Sequence, residues 1–227
     1  MTISKLDLRS IFQPSLAHRR IVDPSAQELD QLVTQIKQGL DVGDEHLANL
    51  LSCALFELAN TTDQVSIAVT GLGWLGAGVL SVEQSLLELI NSTRQQLLLC
   101  CYAISPSAIP VLKAIFEIAE QGADVRIVCN AISKQHATVQ DYLKHCLQTQ
   151  SKNKFSVFDF KDAGDNSALH AKVAVVDQHT ALIGSANLSF HGMVANHEMA
   201  VVVSGPTASE IASRIDRLCQ SSWVQKL

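Results

Sequence analysis

The stretch HAKVAVVDQHTALIGSANLSFHGMVANHE, residues 170–198, holds the densest pattern of reactive side chains in the chain. His170-x-Lys172 is followed after four residues by Asp177, and after six more by Gly184-Ser185-x-Asn187. Asn196 and Glu198 close the stretch. His170 to Val176 reads as a strand, where side chains two apart share a face. His170 and Lys172 therefore project together, with Val173 and Val175 on the other face. Asn187 closes a neighbouring strand in this reading and comes alongside. An imidazole, an ammonium and an amide on one surface suit a phosphate group. Lys172 supplies charge, and Ser185 and Asn187 supply donors for non-bridging oxygens. His170 can attack phosphorus or protonate a leaving oxygen. Glu198 can hold one imidazole nitrogen and aim the other at substrate.

Upstream of this stretch, strand and helix patterns alternate. Val65 to Val69 reads as a short strand, Gly71 to Gly78 as a glycine-rich loop, and Ser81 to Ser92 as a helix. Gln96 to Ala103 is a buried strand, Ser107 to Gln121 a helix, and Asp124 to Asn130 a strand. That alternation argues for an α/β core with parallel strands. From about Lys154 the chain is strand-rich, with Phe155 to Phe160, Thr180 to Gly184 and Glu198 to Val203 short and apolar. A closing helix runs from Thr207 to Cys219 after Gly205-Pro206.

Residues 1–63 read differently, as a small helical unit preceding a domain at 64–227. Ser25 with Glu28 forms a capping box for a helix that reaches Gly39. A second helix runs from about Asp44 to Leu58, with Leu47, Leu50, Leu51, Ala54 and Leu58 on one face.

Composition bounds the possibilities. The chain has 227 residues, 47% apolar and 17% charged, which excludes intrinsic disorder and leaves ample material for a closed core. No apolar run reaches the roughly 18 residues a membrane span needs. The opening MTISKLDLRSIF lacks an apolar h-region, so no secretory signal is expected. Cysteines at 53, 100, 101, 129, 146 and 219 form no Cys-x-x-Cys pair and read as reduced core thiols of a cytoplasmic protein. The net charge of −5 is uneven: residues 1–90 hold five basic and eleven acidic side chains, the remainder twelve and eleven. Binding of nucleic acid by a broad basic stripe is not indicated, although a small cationic site can sit within a neutral surface.

The pattern HxKx4Dx6GSxN resembles the HKD signature of the phospholipase D superfamily, with every spacing kept. The resemblance covers about residues 64–223 and implies a mixed β-sheet flanked by helices, an α-β-α sandwich. It implies metal-independent phosphodiester chemistry without a cofactor, in which one histidine forms a phosphohistidine and a second protonates the leaving group. Carried onto this chain, His170 is the nucleophile, Lys172, Ser185 and Asn187 bind phosphoryl oxygens, and Glu198 orients the histidine. Asp177 completes the motif and organises the strand-to-turn geometry. The sequence contains no second HxK, so the second histidine is expected from another copy, in a homodimer sharing one active site. The segment SIAVTGLGW resembles the phospholipase D-like family of DISARM antiphage systems. The expected function is therefore a small cytoplasmic nuclease acting on DNA or RNA, with other defence-system proteins as partners and no membrane. The alternatives are a phospholipase or phosphatidyl transferase, and an accessory subunit that binds partners through its acidic N-terminal unit.

Several features have blander readings. Gly71-x-Gly73-x-x-Gly76 matches a dinucleotide fingerprint as a string, but the next strand lacks the acidic residue that would hold a ribose. A loop near the active-site mouth fits better. His179, His191 and His197 read as surface or turn histidines rather than metal ligands. Asn196 either shares the face of Glu198 or simply turns the chain. Lys144, Lys152, Lys154 and Lys161, offset by Asp159, Asp162 and Asp165, form either a solvated loop or a rim that guides a phosphate backbone.

Overall fold

The computed structural model describes residues 63–74, 78–161 and 167–227, which fall in the unit Asp63–Leu227. The two helices expected before Leu58, Gly76 and most of the 162–167 segment lie outside the described residues.

The strands are β1 (Gln64–Thr70), β2 (Leu80–Ser81), β3 (Gln96–Cys101), β4 (Asp124–Asn130), β5 (Phe155–Phe160), β6 (Val173–Val176), β7 (Thr180–Gly184), β8 (Glu198–Ser204) and β9 (Val224–Lys226). They form one sheet in the order β2-β1-β8-β7-β6-β3-β4-β5-β9. The sheet is mixed, as the family resemblance implied. Strands β3, β4 and β5 run parallel, whereas β6, β7 and β8 form an antiparallel meander that joins them at the β3–β6 pair.

Four described helices cover the sheet: α1 (Val82–Ser92), α2 (Ile109–Gln121), α3 (Ala137–Thr149) and α4 (Pro206–Cys219). The period-2 rule assigns β3 to both faces at once. Leu97, Leu99 and Cys101 pack with Leu86, Ile90, Leu112, Ile115, Val139 and Leu143 of α1, α2 and α3. Leu98 and Cys100 pack with Ala208, Ala212 and Ile215 of α4. A central strand buried on both sides explains its unbroken apolar run.

Local chemistry sets the ends. Ser81 caps α1 through a reciprocal box, accepting from the Gln84 amide at 3.0 Å while the Gln84 side chain accepts from the Ser81 amide at 3.3 Å. Pro106 breaks the expected helix start, so Pro106–Ala108 forms a 3-10 turn and α2 begins at Ile109. Helix α3 and strand β9 were not anticipated. His136 caps α3 through its ring nitrogen, which accepts from the Thr138 amide at 3.2 Å. Asp159 does not offset the nearby lysines: it is buried, and its carboxylate accepts from the Ile132 amide at 2.8 Å. The five described cysteines are free.

Candidate active site

Strand β6 is shorter than its sequence suggested. It begins at Val173, so His170 and Lys172 precede it rather than lie within it. The reason is the partner strand: β7 ends at Gly184, whose amide still donates to the Lys172 carbonyl at 3.0 Å. Beyond that point His170 has no strand to pair with. The segment is held instead by Asn130 at the end of β4, whose Oδ1 accepts from the Leu169 amide at 2.9 Å.

His170 and Lys172 are nonetheless in contact. Lys172 Nζ lies 2.9 Å from His170 Nδ1 and 3.1 Å from Nε2, and donates to the His170 carbonyl at 2.9 Å. An ammonium can donate only to a ring nitrogen that keeps its lone pair. The tautomer therefore decides which of the two ring nitrogens accepts from Lys172. Desolvation pulls the Lys172 ammonium below the ordinary lysine value, and the Glu198 carboxylate partly offsets this.

Glu198, the first residue of β8, does not bond to His170 within the described chain. Its carboxylate accepts from the Ser185 hydroxyl and, at 3.2 Å, from Asn196 Nδ2. Ser185 Oγ in turn accepts from the Met199 amide at 3.3 Å. The Ser185 proton is thus committed to Glu198 rather than directed outward. Asn196 fills both roles weighed for it, since it follows the π-helical turn His191–Ala195 and also reaches the Glu198 carboxylate.

Asn187 lies in the loop after β7 rather than on a strand. Its Oδ1 is buried and without a hydrogen-bond partner. Gly192 packs on its backbone, where a Cβ would stand 2.4 Å from the Asn187 carbonyl oxygen. Only glycine fits there, so the turn that follows the motif presses Asn187 into place.

Asp177 stands at the far end of β6 from this group. With Gln178 it forms the β6–β7 turn, both at positive φ, and its carboxylate accepts from the amides of Arg94, Gln95 and Gln96 at 2.9, 2.7 and 2.8 Å. It ties the α1–β3 connection to the hairpin and touches none of the other motif side chains.

The glycine-rich loop has a packing explanation. A Cβ on Gly71 would lie 2.8 Å from the His197 ring, and one on Gly73 would lie 3.0 Å from its Nε2. Trp74 meets the same ring edge-on at 5.8 Å. His197 therefore serves as the seat of this loop, next to Glu198. His179 belongs to the β6–β7 turn and accepts at its carbonyl from Gly205, while His191 opens the π-helical turn.

One neighbour escaped the motif. Tyr102, just after β3, places its ring centroid 4.7 Å from that of His170. An aromatic at the end of an apolar strand reads as core, and its only signal is its position at the carboxyl end of a central parallel strand, where sites in α/β sheets gather.

A histidine–lysine pair just before the central strand β6 of a mixed sheet flanked by helices is the arrangement expected of a phospholipase D-like protein. The chain belongs to the family described as cardiolipin synthase, PLD-like domain, whose model matches residues 86–223. Among curated relatives it is 25% identical over 191 residues to DISARM protein DrmC of Bacillus paralicheniformis, covering 83% of this chain and 77% of that one. It is 24% identical over 175 residues to cardiolipin synthase A of Buchnera aphidicola, covering 74% of this chain but 33% of that one. The fold is similar to Nuc, a phospholipase D family member from Salmonella typhimurium, with a TM-score of 0.58 and 18% identity over 73% of this chain and 99% of that one. NucT from Helicobacter pylori aligns with a TM-score of 0.54 and 22% identity over 70% and 98%.

Proposed function

We propose that the chain is a metal-independent phosphodiesterase that hydrolyses nucleic acid through a phosphohistidine at His170. The observation that carries this reading is the contact between His170 and Lys172, at 2.9 Å, beside the Ser185–Glu198–Asn196 group. His170 attacks phosphorus and the bond to the leaving oxygen breaks. A second imidazole protonates that oxygen, and water then displaces the phosphoryl group from His170. Lys172 and Asn187 bind the non-bridging oxygens, and the same ammonium that contacts the imidazole is drawn onto the phosphate. Because the sequence holds one HxK, the second imidazole is His170 of another copy, in a two-fold dimer with one shared site. The similarity to DrmC supports a place in antiphage defence, alongside other proteins of such a system.

Cleavage of labelled single- and double-stranded DNA and RNA in excess EDTA, by wild type and His170→Asn, tests the proposal. Wild-type cleavage that the variant lacks is expected. Cleavage by both would remove His170 from the chemistry.

A second reading has its own support. The family description and the cardiolipin synthase relatives favour transfer of a phosphatidyl group to an alcohol. None of the described helices is long and apolar enough to cross a membrane. Formation of cardiolipin from phosphatidylglycerol vesicles, with nucleic acids left intact, would select this reading.

A further inference from the structure

Tyr102 lies outside the HxK pattern, yet its ring meets both the His170 ring and the Lys172 ammonium. Its ring is 4.7 Å from the His170 ring, inclined by 54°, and Lys172 Nζ lies 5.4 Å from its centroid. The two contacts converge from separate parts of the fold. Tyr102 extends β3, whereas His170 and Lys172 lead into β6.

Both approaches are anchored to the same amides. Gln135 Nε2 donates to the Tyr102 carbonyl at 3.1 Å and to the Asn130 carbonyl at 2.7 Å. Gln135 Oε1 accepts from the Ile104 amide at 2.9 Å, two residues beyond Tyr102. Asn130 then holds the Leu169 amide at 2.9 Å, one residue before His170. The distance between the Tyr102 ring and the His170 backbone is therefore set by a short chain of hydrogen bonds across the ends of β3 and β4.

We propose that Tyr102 is a positioning residue for the His170–Lys172 pair: its ring fixes the imidazole from one side and attracts the ammonium to the same surface. The proposal deepens the phosphoryl-transfer reading and rests on it. An aromatic face carries negative quadrupolar charge and draws a cation within about 6 Å. It thereby supplies attraction without adding a hydrogen-bond acceptor that would compete for the ammonium. It also limits the imidazole to orientations compatible with the ring contact.

The charge on Lys172 is governed by few groups. Glu198 on β8 favours the ammonium, and His170 receives it. Lys172 borders a void of about 20 Å³ that is also lined by the β3 residues Cys100 and Cys101. Burial pushes the Cys100 thiol up to about 12, and a hydrogen bond with Cys129 together with burial holds Cys101 well above the usual thiol range, so both are neutral near pH 7. The Tyr102 ring adds to the attraction that the His170 carbonyl, at 2.9 Å, and the Glu198 carboxylate already exert on the ammonium.

The test uses the full chain with Tyr102→Phe, Tyr102→Leu, and Tyr102 replaced by trifluorophenylalanine, which keeps the ring's shape and removes its negative face. Competitive reductive methylation read by mass spectrometry follows the titration of Lys172 without any substrate. Tyr102→Leu and the fluorinated ring are expected to lower the Lys172 midpoint by about half to one pH unit, while Tyr102→Phe leaves it in place. Hydrolysis of bis(p-nitrophenyl) phosphate should lose about tenfold in kcat in the two shifted variants, with KM little changed. An unmoved Lys172 midpoint in the fluorinated variant would overturn the proposal, as would a Tyr102→Phe defect equal to that of Tyr102→Leu. If wild type cleaves no phosphodiester, the functional reading fails while the Lys172 titration still decides the role of Tyr102.

Discussion

The α-carbon of Gly192 sits so close to Asn187 that a methyl group there would lie 2.4 Å from its carbonyl oxygen and 2.7 Å from its amide nitrogen. These are backbone atoms that cannot swing aside, so the contact sets how far the Asn187 loop stands out from the sheet. Gly192→Ala should displace Asn187 while costing about 1–3 kcal/mol of stability. Turnover should fall at least tenfold under conditions where circular dichroism still reports a folded chain. Wild-type kinetics in this variant would show that the position of Asn187 does not matter.

Asp177 predicts the opposite separation. Removing its carboxylate in Asp177→Ala orphans three amides, those of Arg94, Gln95 and Gln96. Partial exposure lets water recover some of the loss, leaving about 2–3 kcal/mol. The urea midpoint should drop accordingly, and activity per folded molecule should stay within about twofold.

The pH dependence follows from Lys172. Desolvation already lowers its proton affinity, and the Glu198 carboxylate works against that. Glu198→Gln removes the opposing charge, so the ammonium is lost at a lower pH than in wild type. The alkaline limb of kcat/KM against pH should shift toward neutrality, with a smaller loss at pH 7 than His170→Asn shows. A limb that stays put would mean that another group sets it.

Lys172→Ala removes both the charge proposed to bind phosphate and the contact with the imidazole. The first effect dominates, by about 2–4 kcal/mol in the transition state by analogy with lost oxyanion donors. Co-expression of wild-type and His170→Asn chains tests whether sites are shared, because a mixed dimer holds one imidazole where the joint site needs two. Activity that falls as the square of the wild-type fraction is the expected result for a joint site, and a linear fall would mean that each chain works alone.

Much of this was legible in the residues. Strands β4, β5 and β7 begin and end where their apolar runs do, at Asp124–Asn130, Phe155–Phe160 and Thr180–Gly184. The side chains of the motif separate in the fold as their chemistry suggests, with Asp177 at a turn and His170 beside Lys172. What stayed hidden depends on pairing. Strand alternation placed His170 on β6, but a strand needs a neighbour, and β7 stops at Gly184. Helix α3 shows only Val139, Leu143 and Cys146 as buried positions, too few among polar residues to stand out, and its cap is a histidine. The Ser185–Glu198 bond joins residues thirteen apart through the β7–β8 connection, which spacing alone does not reveal.

The sheet order has a consequence for the timing of biosynthesis. Strand β1 finds its antiparallel partner in β8, with Gln64 opposite Ser204, so one of the earliest described strands must wait for one of the last. Pairings of such long sequence separation form late and slowly. Glu198 opens that same strand, and without it Ser185 and Asn196 have nothing to hold. A nascent chain still short of β8 already carries His170 and Lys172, but not an assembled centre around them. The phosphodiester cleavage proposed above would thus be withheld from a chain still on the ribosome until β8 has been made.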